Sequence, residues 1–87
     1  MKDYLKEEIG ILKRRIDQRL KKLSYELGSR AEQVDFSKNP KCSLEHQASA
    51  ASSVRRMDVD ALNRLNEIKK LHEELFDAEL KWEIANR

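Results

Sequence analysis

The chain has very few residues that can turn it. Its 87 residues contain two glycines and one proline, and the one strong breaker pair, Asn39-Pro40, lies near the middle. The residue before a proline is disfavoured in the helical region, so this pair marks a turn. An all-β fold requires a turn signal about every ten residues. The sequence therefore excludes a β fold and predicts an all-α chain with a single turn over residues 35–42.

The composition limits the class of protein. Charged residues make up 39% of the chain and hydrophobic residues another 39%, whereas an average globular domain is about 25% charged and 45–50% apolar. Such a chain has little material for a large core and no apolar run long enough to cross a membrane. These properties exclude a large enzyme and a membrane span. With a lone cysteine, Cys42, and no apolar targeting segment, we expect a cytoplasmic protein.

Apolar residues spaced three and four apart predict the first helix, over residues 2–33. They are Leu5, Ile9, Leu12, Ile16, Leu20, Leu23, Leu27, Ala31 and Val34. The pattern repeats every eleven residues, which is close to the period of an undistorted helix. Because the stripe continues past Gly28, we interpret that glycine as part of the helix interior.

The second predicted helix covers residues 43–85 and changes its period along its length. Its first stripe has the spacing of the first helix and consists of Val54, Met57, Ala61, Leu65, Ile68 and His72. A second stripe has heptad spacing and consists of Leu71, Leu75, Ala78, Trp82 and Ala85. Either Asn39 or Ser43 caps the start of this helix.

A short turn between two long helices predicts an antiparallel hairpin. Folding about residues 38–39 brings the two stripes into register, with Leu12 facing Leu65 and Ile16 facing Ala61. In this register nothing in the first helix covers residues 77–87. We therefore predict that the heptad stripe binds another chain, so that the hairpin assembles with itself or with a larger protein into a helical bundle. The alternative is a frayed amphipathic tail. The predicted partner-binding residues are Leu71, Leu75, Ala78 and Trp82.

The charge is unevenly distributed. Residues 13–22 hold six basic and one acidic side chain, whereas residues 71–87 hold five acidic and two basic ones. Opposed patches of this kind favour association between molecules. The basic run also allows phosphate binding, although it lacks aromatic residues that would stack on bases, so nucleic-acid binding is the third hypothesis. The predicted electrostatic contacts are Lys13, Arg14, Arg15, Arg19, Lys21 and Lys22.

Few residues of the sequence suggest catalysis or metal binding. Cys42 and His46 are four apart and could face one metal on a helix, but His72 is too distant to complete a site. Lys13, Arg30 and the segment 54–60 resemble the two first-helix cations and the second-helix motif of the helical chorismate mutases. That resemblance would imply an all-α enzyme, yet Val59 occupies the position of the family's second-helix arginine. We predict no catalytic residue, no metal site and no cofactor.

The sequence predicts a small non-enzymatic interaction or regulatory protein that acts through protein–protein contacts. The alternative is a regulator that inserts the tip of its hairpin into a large enzyme such as RNA polymerase or a nuclease. This alternative rests on similarity of shape to the coiled-coil factors that enter the secondary channel of bacterial RNA polymerase. The predicted tip residues are Phe36, Lys38 and Asn39.

Overall fold

The computed structural model describes residues 2–87 and is an all-α helical hairpin, as predicted. Helix α1 spans Lys2–Lys38, helix α2 spans Leu44–Ala85, and the two pack against each other. Within the described residues, neither helix combines the length and the hydropathy needed to cross a membrane.

Helix α1 ends at Lys38 rather than at residue 33, so the turn covers residues 39–43 instead of 35–42. No residue between position 33 and the Asn39-Pro40 pair opposes helix formation. Ser37, which could have started a turn, donates its hydroxyl to the carbonyl oxygen of Val34 at 2.7 Å and so remains in the helix. Gly28 lies in the helix interior, as predicted, and its φ is not positive.

Side-chain hydrogen bonds to the backbone fix the turn. The Asn39 Oδ1 atom accepts a hydrogen bond from the backbone N–H of Lys41 at 3.0 Å. The Ser43 hydroxyl accepts one from the backbone N–H of His46 at 3.1 Å, so Ser43 is the cap of α2. The Gln47 side chain donates to the carbonyl oxygen of Asn39 at 2.6 Å. These bonds satisfy backbone groups that the helix ends leave without partners.

The chain divides into two compact units, each with a part of both helices. The end unit comprises the chain up to Lys21 together with Leu65–Arg87, and the tip unit comprises Lys22–Arg64. The tip unit buries the apolar side chains of Leu23 and Ala50. The end unit has the larger apolar core, which consists of Leu12, Ile16, Ile68 and Ala78.

Burial in both helices follows a heptad, so the predicted eleven-residue spacing is wrong. Leu20, Leu27 and Leu65, which that spacing placed in the core, are 46%, 48% and 49% exposed. At Leu27 and Leu65 the preceding residues, Glu26 and Arg64, take the inner position, and each leucine lies about 100° further round the helix. The inward positions of α1 are Leu5, Ile9, Leu12, Ile16, Leu23, Glu26, Arg30, Gln33 and Ser37. Those of α2 are Gln47, Ala50, Val54, Met57, Ala61, Arg64, Ile68, Leu71, Leu75, Ala78 and Trp82.

The predicted pairing register is also wrong. Arg30 pairs with Asp58, which lies eleven residues beyond the position 47 that the predicted register places opposite it. The apolar pattern read from the sequence repeats every eleven residues, so a shift by one repeat again aligns apolar residues of that pattern. Spacing alone therefore does not distinguish the two registers. The predicted pairs Leu12–Leu65 and Ile16–Ala61 belong to the register that the chain does not adopt.

Candidate interaction surfaces

The inner face of the tip unit carries an ion pair at heptad positions. Arg64 Nη2 lies 2.8 Å from Glu26 Oε1, and Arg64 Nε donates to Glu26 Oε2 at 3.0 Å. The side chains are 17% exposed for Arg64 and 26% exposed for Glu26. A bidentate ion pair of this kind requires a specific orientation of both side chains. It therefore specifies which residues of the two helices face each other within this unit.

A second ion pair in the tip unit is more exposed. Arg30 Nε donates to Asp58 Oδ1 at 2.5 Å, and Arg30 Nη2 lies 3.5 Å from Asp58 Oδ2. The hydrogen bond to Asp58, helped by its charge, raises the pKa of the Arg30 guanidinium above its ordinary value. Water screens this pair, so its main effect is on geometry and not on stability.

The four residues predicted to bind another chain face α1 of their own hairpin. Ala78 is 3% exposed, and Leu71, Leu75 and Trp82 are half-buried. Trp82 lines a shallow groove together with Ile9 of α1. The observed register places α1 alongside Trp82. The prediction that nothing in α1 covers residues 77–87 is therefore wrong. Binding of another chain at these four residues stays a prediction.

Part of the basic run is paired within the hairpin. Arg19 Nε lies 3.4 Å from Glu67 Oε2, and Lys21 Nζ lies 3.0 Å from Asp17 Oδ2. Both pairs lie in the end unit. These two basic side chains therefore already have acidic neighbours in the absence of any partner.

Two further members of the run lie beside acidic residues of α2. Lys13 lines one groove with Glu79 and Glu83, and Arg15 lines another with Glu74. Consecutive residues of a helix also point about 100° apart, so the run surrounds α1 and forms no single phosphate-binding stripe. Much of the charge predicted to attract a partner thus faces opposite charge in the same unit. All six members of the run are exposed, and Arg14 lines a further groove with Asp3 and Glu7 of α1.

The predicted tip residues differ in exposure. The Phe36 ring lies beside the His46 ring, with centroids 5.6 Å apart and planes tilted by 36°. Phe36 and Asn39 are half-buried, and Lys38 is exposed. Of the three, Lys38 is thus the one most available to a partner.

The sequence reasoning missed the apolar residues on the outer surface, because it assigned apolar residues to stripes between the helices. Phe76 is 67% exposed, although its place one residue beyond Leu75 of the heptad stripe already indicated an outward position. Exposed apolar residues of the end unit are Tyr4, Ile11, Leu20, Leu65, Phe76, Leu80 and Ile84. Those of the tip unit are Tyr25, Leu27, Leu44, Val59 and Leu62.

The described part of the chain offers little metal-binding chemistry. Over residues 2–87, no three His, Cys, Asp or Glu side chains are grouped so that they could hold a metal ion. Cys42 is free and half-buried. Comparison of the chain with protein-family models, with curated proteins and with solved structures finds no match. The surface of the hairpin is therefore the feature that indicates a function.

Proposed function

We propose that this protein is a small non-enzymatic helical hairpin that binds another protein through apolar side chains on the outside of its helices. One observation carries the proposal. Among the residues whose side chains are described, twelve large hydrophobic residues are exposed, whereas six hydrophobic residues are buried and two of those are alanines. Large exposed apolar surface on a soluble protein is typical of interaction sites.

The accessible surface area supports the same proposal. It is 6953 Å², whereas a compact monomer of 10.2 kDa exposes about 5,300 Å². The excess is surface that the chain does not cover by itself. Burying part of it against a partner would be favourable by roughly 25 cal/mol for each Å² of apolar area.

A non-enzymatic role is supported by the form of the grooves. Those of the end unit are open, and charged side chains of opposite sign face each other across them, such as Lys13 and Glu79 or Arg15 and Glu74. An active site needs polar groups that converge in a concave, largely apolar pocket. Opposite charges that line the same open groove between two helices are more typical of helix–helix contacts.

Insertion of the tip into a larger enzyme is the second candidate function. It is favoured by the hydrogen bonds that Asn39, Ser43 and Gln47 make to the turn, because they hold its shape without a partner. A preformed tip would lose little conformational entropy on binding. Lys38 is the exposed side chain that this function would use.

Photo-crosslinking in the cells that produce the protein tests the proposal. We would place a crosslinking amino acid in the full chain at Phe76, Leu62 or Lys38, with the buried position Ile68 as the control. We expect protein adducts from Phe76 or Leu62 and none from Ile68. Adducts from Lys38 alone would favour tip insertion. Absence of adducts from all three exposed positions would overturn both candidate functions.

A further inference from the structure

We propose that the outer face of α2 in the end unit binds a second copy of this chain, with the two α2 helices antiparallel about a two-fold axis at Phe76. This inference rests on the proposed function and deepens it by naming the partner and the surface. The face lies on the outside of α2 and is called the Phe76 face below; at Glu83 it reaches the rim of the groove that Glu83 lines with Lys13 of α1. Its residues are Lys69, Glu73, Phe76, Leu80 and Glu83.

The centre of the Phe76 face is apolar. Phe76 is the most exposed apolar side chain of α2 in the end unit, and Leu80, one turn further on, is also exposed. Contact with α1 is made by Leu75 and Ala78, so Phe76 and Leu80 point away from the hairpin. Phe76 also lines a shallow depression beside Lys69. An exposed aromatic residue next to a leucine is the kind of anchor on which protein contacts centre.

The two end charges of the Phe76 face, Lys69 and Glu83, are complementary about Phe76, and Glu83 Oε1 also lies 3.8 Å from Arg87 Nη2 of its own chain. Lys69 precedes Phe76 by seven residues and Glu83 follows it by seven, which is about 10.5 Å in each direction along a helix. In an antiparallel pair centred on Phe76, Lys69 of each chain lies opposite Glu83 of the other. In a parallel pair each of them would meet its own copy. The antiparallel arrangement pairs Lys69 with Glu83 and sets Glu73 opposite Glu79, whereas the parallel arrangement sets all three charges of the face against their own copies. The charges therefore favour the antiparallel arrangement over the parallel one.

This symmetry about Phe76 points to a second copy and not to an unrelated protein. A two-fold contact uses the same patch on both chains, so opposite charges must be equally spaced about its centre. A different partner would impose no such requirement. One helix face from each chain makes a small interface, below about 1,200 Å², so we expect a dimer that dissociates in the micromolar range.

Sedimentation equilibrium of the full chain over a wide concentration range tests the centre of the contact. We expect a monomer–dimer equilibrium, weakened at least about tenfold by Phe76→Ser because the central anchor is lost. Val59→Ser is the matched control, because Val59 is also an exposed apolar residue of α2 but lies in the tip unit. It should leave the dimerisation constant unchanged. Helical circular dichroism of each variant confirms that the hairpin is intact.

A charge exchange tests the antiparallel arrangement. Lys69→Glu and Glu83→Lys should each weaken self-association by roughly tenfold, because each places like charges opposite each other twice. An equimolar mixture of the two variants should dimerise again, since both ion pairs are then restored between different chains. The variant that carries both substitutions should dimerise like the original protein. A purely structural effect of either substitution would not be reversed by mixing.

The outcomes separate this inference from the proposed function. A chain that is monomeric at all concentrations, or a dimer that is indifferent to Phe76→Ser, overturns the inference. So does a charge exchange that fails to restore association. If crosslinking at the same time yields adducts with a different protein, the proposed function stands without self-association. If it yields no adducts, the proposed function fails as well.

Discussion

The end unit and the tip unit use the same heptad with different chemistry on the inner face. In the end unit the inward positions hold Leu12, Ile16 and Ile68, all buried. In the tip unit two of these positions hold Glu26 and Arg64, which form a partly buried ion pair. Apolar contacts are not directional, so they stabilise several alignments of two helices almost equally. An ion pair is directional and distinguishes among them.

The comparison also indicates what each unit contributes to the free energy of unfolding. Removal of charges from water is unfavourable, so a partly buried ion pair stabilises a fold less than a well-packed apolar pair would. Removal of only one of the two charged side chains nevertheless lowers the free energy of unfolding. We therefore expect the end unit to supply most of the stability and the Glu26–Arg64 pair to select the register.

The largest effect should come from truncating the apolar core of the end unit. Leu12 is 4% exposed, so Leu12→Ala should lower the free energy of unfolding by about 2–4 kcal/mol through lost burial and the cavity left behind. Leu27→Ala, at a leucine exposed in the tip unit, should cost less than about 0.5 kcal/mol. Urea denaturation followed by circular dichroism measures both. Equal losses would show that the assigned inner face is wrong.

The ion pair of the tip unit should show strong coupling. Arg64→Leu alone should cost about 1–3 kcal/mol because the partly buried Glu26 carboxylate loses its guanidinium, and Glu26→Leu should cost a similar amount because the two bonds from Arg64 to Glu26 are lost. The double variant should recover most of that loss, since two leucines fit the apolar heptad. A double-mutant cycle in urea measures the coupling free energy. A double variant whose loss equals the sum of the single losses would indicate that the pair does not act as a unit.

A smaller effect is expected at the start of α2. The Ser43 hydroxyl accepts a hydrogen bond from the backbone of His46, so Ser43→Ala should cost about 1 kcal/mol. Ser24 is the control, because it is an exposed serine in the interior of α1. Ser24→Ala should be neutral or slightly stabilising, since alanine has the higher helix propensity. Thermal unfolding followed by circular dichroism compares the two variants, and a loss at Ser24 as large as that at Ser43 would contradict the capping role.

The smallest effect should be a gain at the two glycines, one in each unit. A Cβ atom at Gly10 or Gly28 would meet no atom within 4 Å, and neither glycine has a positive φ. Gly10→Ala and Gly28→Ala should each raise the free energy of unfolding by about 0.5–1 kcal/mol, through helix propensity alone. Urea denaturation gives both values. A loss at either site would mean that the glycine is required for a close approach that the structure lacks.

The sequence predicts the helices and the turn well because their determinants are local. Asn39-Pro40 ends one helix, and Ser43 was one of two caps proposed for the next. The register was not predictable from an apolar stripe that repeats every eleven residues, since two alignments then bring similar residues together. The error at Trp82 followed from that register. The surface that now carries the proposals, centred on Phe76, was missed because its exposure depends on where α1 lies.

The sequence by itself determined that this chain forms two helices joined by one turn, because helix propensity and helix breaking act over a few residues. Only the tertiary structure decided which side of each helix is covered. Burial belongs to a pair of helices and depends on their alignment, which local propensity does not specify. Arg64 and Leu65 illustrate this: they are neighbours in sequence, yet the arginine faces α1 and the leucine faces solvent. A bond to Glu26 holds that arrangement in place.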